Sequence, residues 1–488
     1  MNFLDATEIR DAVRARKVKA TEAVASVIAR AKAANGRLNA FHEILEEDAM
    51  RQAAAVDARI AAGHDPGPMA GVPVAVKDNI ATREGRTTCS SRMLENYRSP
   101  FDATCVERLR AAGAVVMGKT NLDEFAMGSS SEHCAWGAVH NPWDVSRVPG
   151  GSSGGSAAAA AAGLCGVALG SDTGGSIRQP ASLCGCVGFK PTYGRVSRYG
   201  LVAFGSSLDQ IGPLSRSVRD AALSYAVMAG TDPRDSTSAQ LAVEDPLTEL
   251  ERPIEGLRVG VPTQYMSGAN DPRVNALVDQ ALARLRAAGA VTVPVELPLT
   301  DVGISTYYVI APAEASANLA RFDGIRYGHR AAARPGQGLD DLYAESRAQG
   351  FGPEVQRRIM LGTYVLSAGY YDAYYGRALK VRRLIKAEFD RAFERCDVIA
   401  GPASPTPAFR AGGLSDPLQM YLCDVYTVNT NIAGIPGVSV PIGFAHEDGA
   451  RLPVGLHLQG PAMADARLLR AARMVERLHP EAGVPAPA

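Results

Sequence analysis

Apolar residues recur at three-to-four spacing through residues 5–60. They do so in A-T-E-I-R-D-A-V-R-A-R-K and again in T-E-A-V-A-S-V-I-A-R-A-K, each with a threonine at its start. That period predicts amphipathic helices. The pattern then changes. Residues 72–77 and 114–118 are short β-branched runs and predict strands, with a loop-rich stretch over 80–103 between them. Ala157 to Leu164 is a run of small residues that predicts a tightly packed helix, and Gly166 to Leu169 and Val187 to Phe189 predict further strands. Short apolar runs alternating with helices predict an α/β fold whose sheet is covered on both faces.

Residues 231–253 are polar and contain proline, which predicts a surface connection. A second α/β stretch follows: L-R-V-G-V-P, a helix over 272–288, then V-T-V-P-V. Residues 353–395 are strongly helical in pattern. D-V-I-A-G-P, P-G-V-S-V-P-I-G and P-V-G-L-H-L-Q-G bring strands back late in the chain. The expected organisation is an N-terminal helical segment over 1–65, a main domain over 66–480, and a tail over 481–488. The tail, rich in proline and alanine, is expected to lack fixed structure. No internal repeat is found.

Composition narrows the class. The 488 residues are 46% hydrophobic and 21% charged, as in soluble globular proteins. With 51 basic and 51 acidic residues the formal charge is zero, so no global field favours nucleic acid or membrane. M-N-F-L-D-A-T-E-I-R has no apolar leader core, and Ser156 to Gly170 is too short and too weakly apolar to span a bilayer. A cytoplasmic location without membrane attachment is expected. Eight scattered cysteines do not make a disulfide scaffold, and Cys184 and Cys186 read as two buried thiols in a strand rather than as metal ligands.

The chemistry lies in two glycine-serine loops and one lysine. P-G-G-S-S-G-G-S spans Pro149 to Ser156, G-S-D-T-G-G-S-I-R spans Gly170 to Arg178, and Lys77 ends the apolar run G-V-P-V-A-V-K. A serine hydroxyl attacks an amide only when something accepts its proton. A lysine does so only when neutral, and burial favours the neutral form. Glycines beside the serines allow sharp turns and close backbone approach. Two serines and a lysine are therefore enough to cleave an amide without histidine or metal.

Two other motifs compete. Gly113-A-V-V-M-Gly118-Lys119-Thr120 matches the phosphate-binding pattern G-x-x-x-x-G-K-[ST]. That loop requires a strand before the first glycine; here a helical run precedes it and the strand-like A-V-V-M lies between the glycines. Gly151-Ser152-Ser153-Gly154-Gly155 matches the nucleophile elbow G-x-S-x-G, but N-P-W-D-V-S-R-V-P, with two prolines, stands where a strand is needed. The histidines that an elbow would require, among His329, His446, His457 and His479, sit in no prepared loop.

The lysine, the two loops and the following S-I-R-Q-P-A-S-L-C-G-C-V-G-F-K-P-T-Y-G-R-V-S resemble the amidase signature family. The resemblance covers nearly the whole chain and is densest over 70–220, the implied catalytic core. It implies an α/β/α sandwich around a large mixed, twisted sheet. It implies Ser176 as nucleophile, Ser152 as bridging serine and Lys77 as base. The amides of Thr173, Gly174, Gly175 and Ser176 become the implied oxyanion hole. Consecutive amides in a glycine turn at a helix start suit that task.

N-L-D-E-F-A-M-G-S-S-S-E, S-R-Y-G-L-V-A-F-G-S-S-L-D-Q-I-G-P, A-R-F-D-G-I-R-Y-G, R-R-I-M-L-G-T and G-Y-Y-D-A-Y-Y resemble one branch of that family, the A subunits of glutamyl-tRNA(Gln) amidotransferases. The branch implies a glutaminase whose ammonia passes to a partner that amidates a mischarged, ATP-activated aminoacyl-tRNA. The implied partners are B and C subunits in a heterotrimer, serving Glu-tRNA(Gln) and, as an open alternative, Asp-tRNA(Asn). No cofactor is implied in this chain; ATP and Mg2+ belong to the partner. Glutamine's two charged groups call for an anion and a cation, and the resemblance places Asp424 and Arg358 in these roles, with Met127, Gly128, Ser129 and Tyr307 lining the pocket. Arg357 and Tyr308 are the alternatives one residue away, and a helix cap or surface acid is the alternative for Asp424. A stand-alone amidase on a small or aryl amide, and an inactive binding subunit on the same fold, are the competing functions.

Overall fold

A computed structural model of the chain describes residues 5–414, 416–484 and 486. The strands are β1 (Phe41–Ile44), β2 (Pro73–Lys77), β3 (Val115–Thr120), β4 (Val167–Asp172), β5 (Val187–Lys190), β6 (Gln210–Ser215), β7 (Arg258–Pro262), β8 (Val291–Val295), β9 (Val398–Pro402), β10 (Gly437–Glu447) and β11 (Ala450–Gln459). They form one sheet in the order β1-β3-β2-β4-β6-β5-β10-β11-β9-β7-β8. β2 pairs in parallel with β3 and β4, and β7 with β8 and β9. The ladders between these two groups are antiparallel, so the sheet is mixed. Helices cover both faces, giving an α/β/α sandwich around a large mixed sheet, as the resemblance implies.

Near-continuous apolar runs make the central strands. Every residue of β2, β3 and β4 is buried, as parallel strands covered on both sides require. The helix expected at 272–288 spans Pro272–Ala287; proline occupies its first turn, and the Asp271 carboxylate caps the Arg273 amide at 2.8 Å.

Two expectations need correction. The stretch 5–60 is not all helix: helices Ala6–Arg14, Ala20–Leu38 and Glu46–Ala61 flank β1, which pairs with β3 at the sheet edge. The sheet thus spans the position 65/66, and the Ala6 and Thr7 amides bind the buried Asp220 carboxylate at 3.1 and 2.9 Å. Ala482 and Ala486 are buried, and the Ala486 amide donates to the Ala161 carbonyl at 3.0 Å; residues 485, 487 and 488 lie outside the described residues. Cys184 and Cys186 are buried thiols, but Cys184 ends the helix Arg178–Cys184 and Cys186 precedes β5. Among the described residues no helix is long and apolar enough to cross a membrane.

Candidate active site

β2, β3 and β4 run parallel, so their carboxyl ends lie along one edge of the sheet, the edge where α/β folds place ligands. Each of the three contributes. β2 ends on Lys77. β3 ends on Thr120 and leads into the long connection that carries Asp123, residues 127–129 and the loop at Ser152. β4 ends on Asp172 and leads into the turn at 173–176. The two serine loops are far apart in sequence from Lys77 and reach it because these strands are neighbours.

Lys77 is fully buried. Its Nζ lies 2.8 Å from Ser152 Oγ, 2.8 Å from Ser153 Oγ and 3.2 Å from the Ser171 carbonyl. Burial pushes its pKa down to about 7, against the pull of Asp123, Asp172 and Asp209. A neutral amine is thus accessible near neutral pH. Ser153 also donates to the Ser171 carbonyl at 3.2 Å. Its amide holds the Ser176 carbonyl at 3.1 Å, which ties the two loops together. Ser176 is nearly buried.

The turn at 173–176 is shaped by steric demands. Gly175 has φ +148°, and a Cβ there would stand 2.2 Å from Thr427 Oγ1; a Cβ on Gly174 would meet the Tyr307 ring at 2.9 Å. Thr427 donates its hydroxyl to the Gly174 carbonyl at 2.8 Å, and Thr173 donates to Asp209 at 2.7 Å. Among the described residues, no carbonyl accepts from the amides of Gly174, Gly175 or Ser176. Three successive donors are therefore left for a ligand. Below them Asp172 receives the Ile177 amide at 3.0 Å and grips Arg178 at 2.9 and 3.0 Å. Burial alone would raise the Asp172 pKa, but the Arg178 guanidinium outweighs it and holds the carboxyl at about 2.

The first loop is held from three sides. Gln179 accepts from the Gly151 amide at 3.0 Å and donates to the Ser129 carbonyl at 3.0 Å. The Asp123 amide donates to the Ser152 carbonyl at 3.2 Å, while its carboxylate accepts from the Ser131 and His133 amides at 2.9 and 3.2 Å. Ser131 Oγ accepts from the Gly154 amide at 3.1 Å. From Gly154 the loop becomes the wholly buried helix Gly154–Ala161. None of these partners stands out in the sequence. They fix the backbone and carry no reactive signature.

The expected pocket residues gather on the same side. Asp424 is buried; one carboxylate oxygen accepts from Ser129 Oγ and the other, Oδ1, has no hydrogen-bond partner among the described residues. Burial raises its pKa to about 7. Arg358 is buried, with Nε 2.8 Å from Glu354 Oε1 and its guanidinium near the rings of Phe204, Tyr308 and Tyr421. Arg357 points outward and pairs with the other oxygen of Glu354. Tyr307 packs against Gly174, whereas Tyr308 lies beside Arg358 and stacks on Tyr421 at 3.8 Å. Met127 is buried, and Gly128 leaves room for the Asp123 carboxylate. Glu354, one helical turn before Arg358, is a partner its spacing could have flagged.

The competing motifs dissolve in the fold. Lys119 is buried on β3, with Nζ on the Ile80 carbonyl at 2.9 Å, Thr87 Oγ1 at 3.1 Å and Asp78 at 3.2 Å. Gly118 and Lys119 lie within strand β3 rather than in a loop, and the amine is held by these buried partners. Among the described residues, no histidine is hydrogen-bonded to Ser152, Ser153 or Ser176. His457 lies beneath the turn, 3.0 Å from Arg178.

The amidase family profile matches residues 22–469. The A subunit of glutamyl-tRNA(Gln) amidotransferase from Moorella thermoacetica is 54% identical over 489 residues, covering 99% of both chains. The crystal structure of the A subunit of glutamyl-tRNA(Gln) amidotransferase from Thermotoga maritima superposes with a TM-score of 0.81 at 43% identity, over 99% of this chain and 97% of that one. The native peptide amidase of Stenotrophomonas maltophilia superposes with a TM-score of 0.84 at 33% identity, over 99% and 98%. Matched by the family profile over most of its length, and more than half identical to a relative from end to end, the chain belongs to the amidase signature family.

Proposed function

We propose that the chain is the glutaminase component of a tRNA-dependent amidotransferase. The observation that carries the chemistry is the buried Lys77, within 2.8 Å of Ser152 Oγ beneath a turn of free amides. Ser176 Oγ attacks the glutamine carboxamide as its proton passes through Ser152 to neutral Lys77. Charge on the carbonyl oxygen meets the amides of the 173–176 turn. Lys77 then returns the proton through Ser152 to the departing nitrogen. Ammonia leaves and a γ-glutamyl ester remains on Ser176. Water, deprotonated by the same relay, releases glutamate.

The choice of glutamine rests on two buried side chains of opposite charge. Asp424, with one oxygen unpartnered, suits an α-ammonium, and Arg358 suits an α-carboxylate. The near end-to-end likeness to amidotransferase A subunits favours an ammonia-consuming assembly with B and C subunits. In that assembly the partner supplies ATP and Mg2+ chemistry on Glu-tRNA(Gln), and on Asp-tRNA(Asn) where that is served. Ammonia released to water is lost as ammonium, so a cytoplasmic complex that passes it on internally is the economical arrangement. The test is glutamate release by the chain alone and after addition of B and C subunits with mischarged tRNA and ATP. Stimulation with amide formation on the tRNA is expected. Full activity alone, with no binding to B or C, would instead identify a stand-alone amidase.

A further inference from the structure

The helix that holds Arg358 has a second face. Helix Pro353–Leu366 buries Val355, Arg358, Gly362 and Val365. A Cβ on Gly362 would stand 1.9 Å from the Pro312 carbonyl, so this side is locked against the helix Thr300–Asn318. The opposite side leaves Met360 73%, Leu361 41% and Tyr364 48% exposed. Tyr370 and Tyr374, from the following turn, bring their rings to 4.6 and 6.1 Å from that of Tyr364. Single exposed apolar side chains are ordinary, but a contiguous cluster marks an interaction site.

Charge qualifies the surface. The next helix, Arg377–Arg395, exposes Arg377, Lys380 and Arg383, and its ion pair among the described residues is Lys386–Asp390, which includes none of them. Asp372 is the one acid between 360 and 384. Three exposed cations, in no ion pair among the described residues, thus follow directly in the chain after the tyrosines of the cluster. Aliphatic Met360 and Leu361 give nothing to a nucleotide base, and tyrosines packed on one another are not splayed as separate stacking platforms. Tyrosine and methionine are enriched where proteins meet, and the unpaired cations favour acid on the other side.

We infer that this surface docks a partner polypeptide through an acidic segment bearing apolar side chains. The inference rests on the reading of the chain as one component of an amidotransferase. It adds a regulatory consequence: the partner presses on the outer face of the helix whose inner face carries Arg358, so docking and substrate binding are coupled through one rigid element.

The experiment uses two variants of the full chain, Tyr370→Asp/Tyr374→Asp and Arg377→Glu/Lys380→Glu, titrated calorimetrically with B and C subunits while glutamate release is followed. Both are expected to leave hydrolysis by the chain alone unchanged, to weaken binding of B and C about thirtyfold or more, and to remove stimulation. Wild-type affinity in both variants overturns the surface. Weakened tRNA binding with intact affinity for B and C overturns it in favour of RNA. A wild-type chain that binds neither B nor C overturns the assembly reading itself, and the surface with it.

Discussion

Two buried groups at the site titrate near the same pH for the same reason. Burial brings Lys77 down to about 7 and lifts Asp424 to about 7. The proposed mechanism needs both unprotonated: Lys77 neutral to accept a proton, Asp424 ionised to hold an ammonium. As pH falls through about 7 each gains a proton and is lost. The acid limb of log kcat/KM, which reports the free enzyme, should therefore steepen towards a slope of two. In Asp424→Asn it should have a slope of one, with KM for glutamine raised by roughly one to two decades. A wild-type slope of one, or an unchanged KM in the variant, counts against the pocket. That Lys77 meets both glycine-serine loops was legible in sequence only from the lysine and the two loops read together, since a single such loop is usually a turn or linker. Asp123, Gln179 and Thr427 were not, since an amide or carboxylate that fixes backbone looks like any polar residue until the fold brings it to its partner.

Among the elements, the carboxyl ends of β2, β3 and β4 do the assembling, and the turn after β4 must hold its amides in line. Gly175→Ala tests this, because the added Cβ would overlap Thr427 Oγ1 at 2.2 Å in a φ that favours glycine. Turnover should drop about 100-fold or more, as when an oxyanion donor is lost, in a chain that still folds but melts lower because of the strain. Near-wild-type kcat would show that the turn's alignment is not what the chemistry needs. The parallel strands were readable as continuous apolar runs. β6 was not: Gln210–Ser215 contains Gly212 and Pro213, which argue against a strand, and only pairing with β4 and β5 makes it one. β1 was hidden between two helical patterns, and its four residues are too few for a period to show.

The whole molecule is one mixed sheet whose edge strand comes from the N-terminal segment. The sandwich was legible in the alternation of short runs and helices; the joining of 1–65 to it, and the anchoring of the tail on Ala161, were not, because single long-range hydrogen bonds leave no periodic trace. On this scaffold everything proposed for the chain depends on Ser176, served by Ser152 and Lys77, hydrolysing glutamine. The deciding measurement is glutamate release from glutamine by the wild-type chain and by Ser176→Ala, both with native melting. Release by the wild type is expected, with loss of at least about three decades in kcat in the variant, the scale seen when a nucleophile is removed. A Ser176→Ala chain that keeps more than about a tenth of the activity, or a wild type that cleaves other amides but not glutamine, would contradict it.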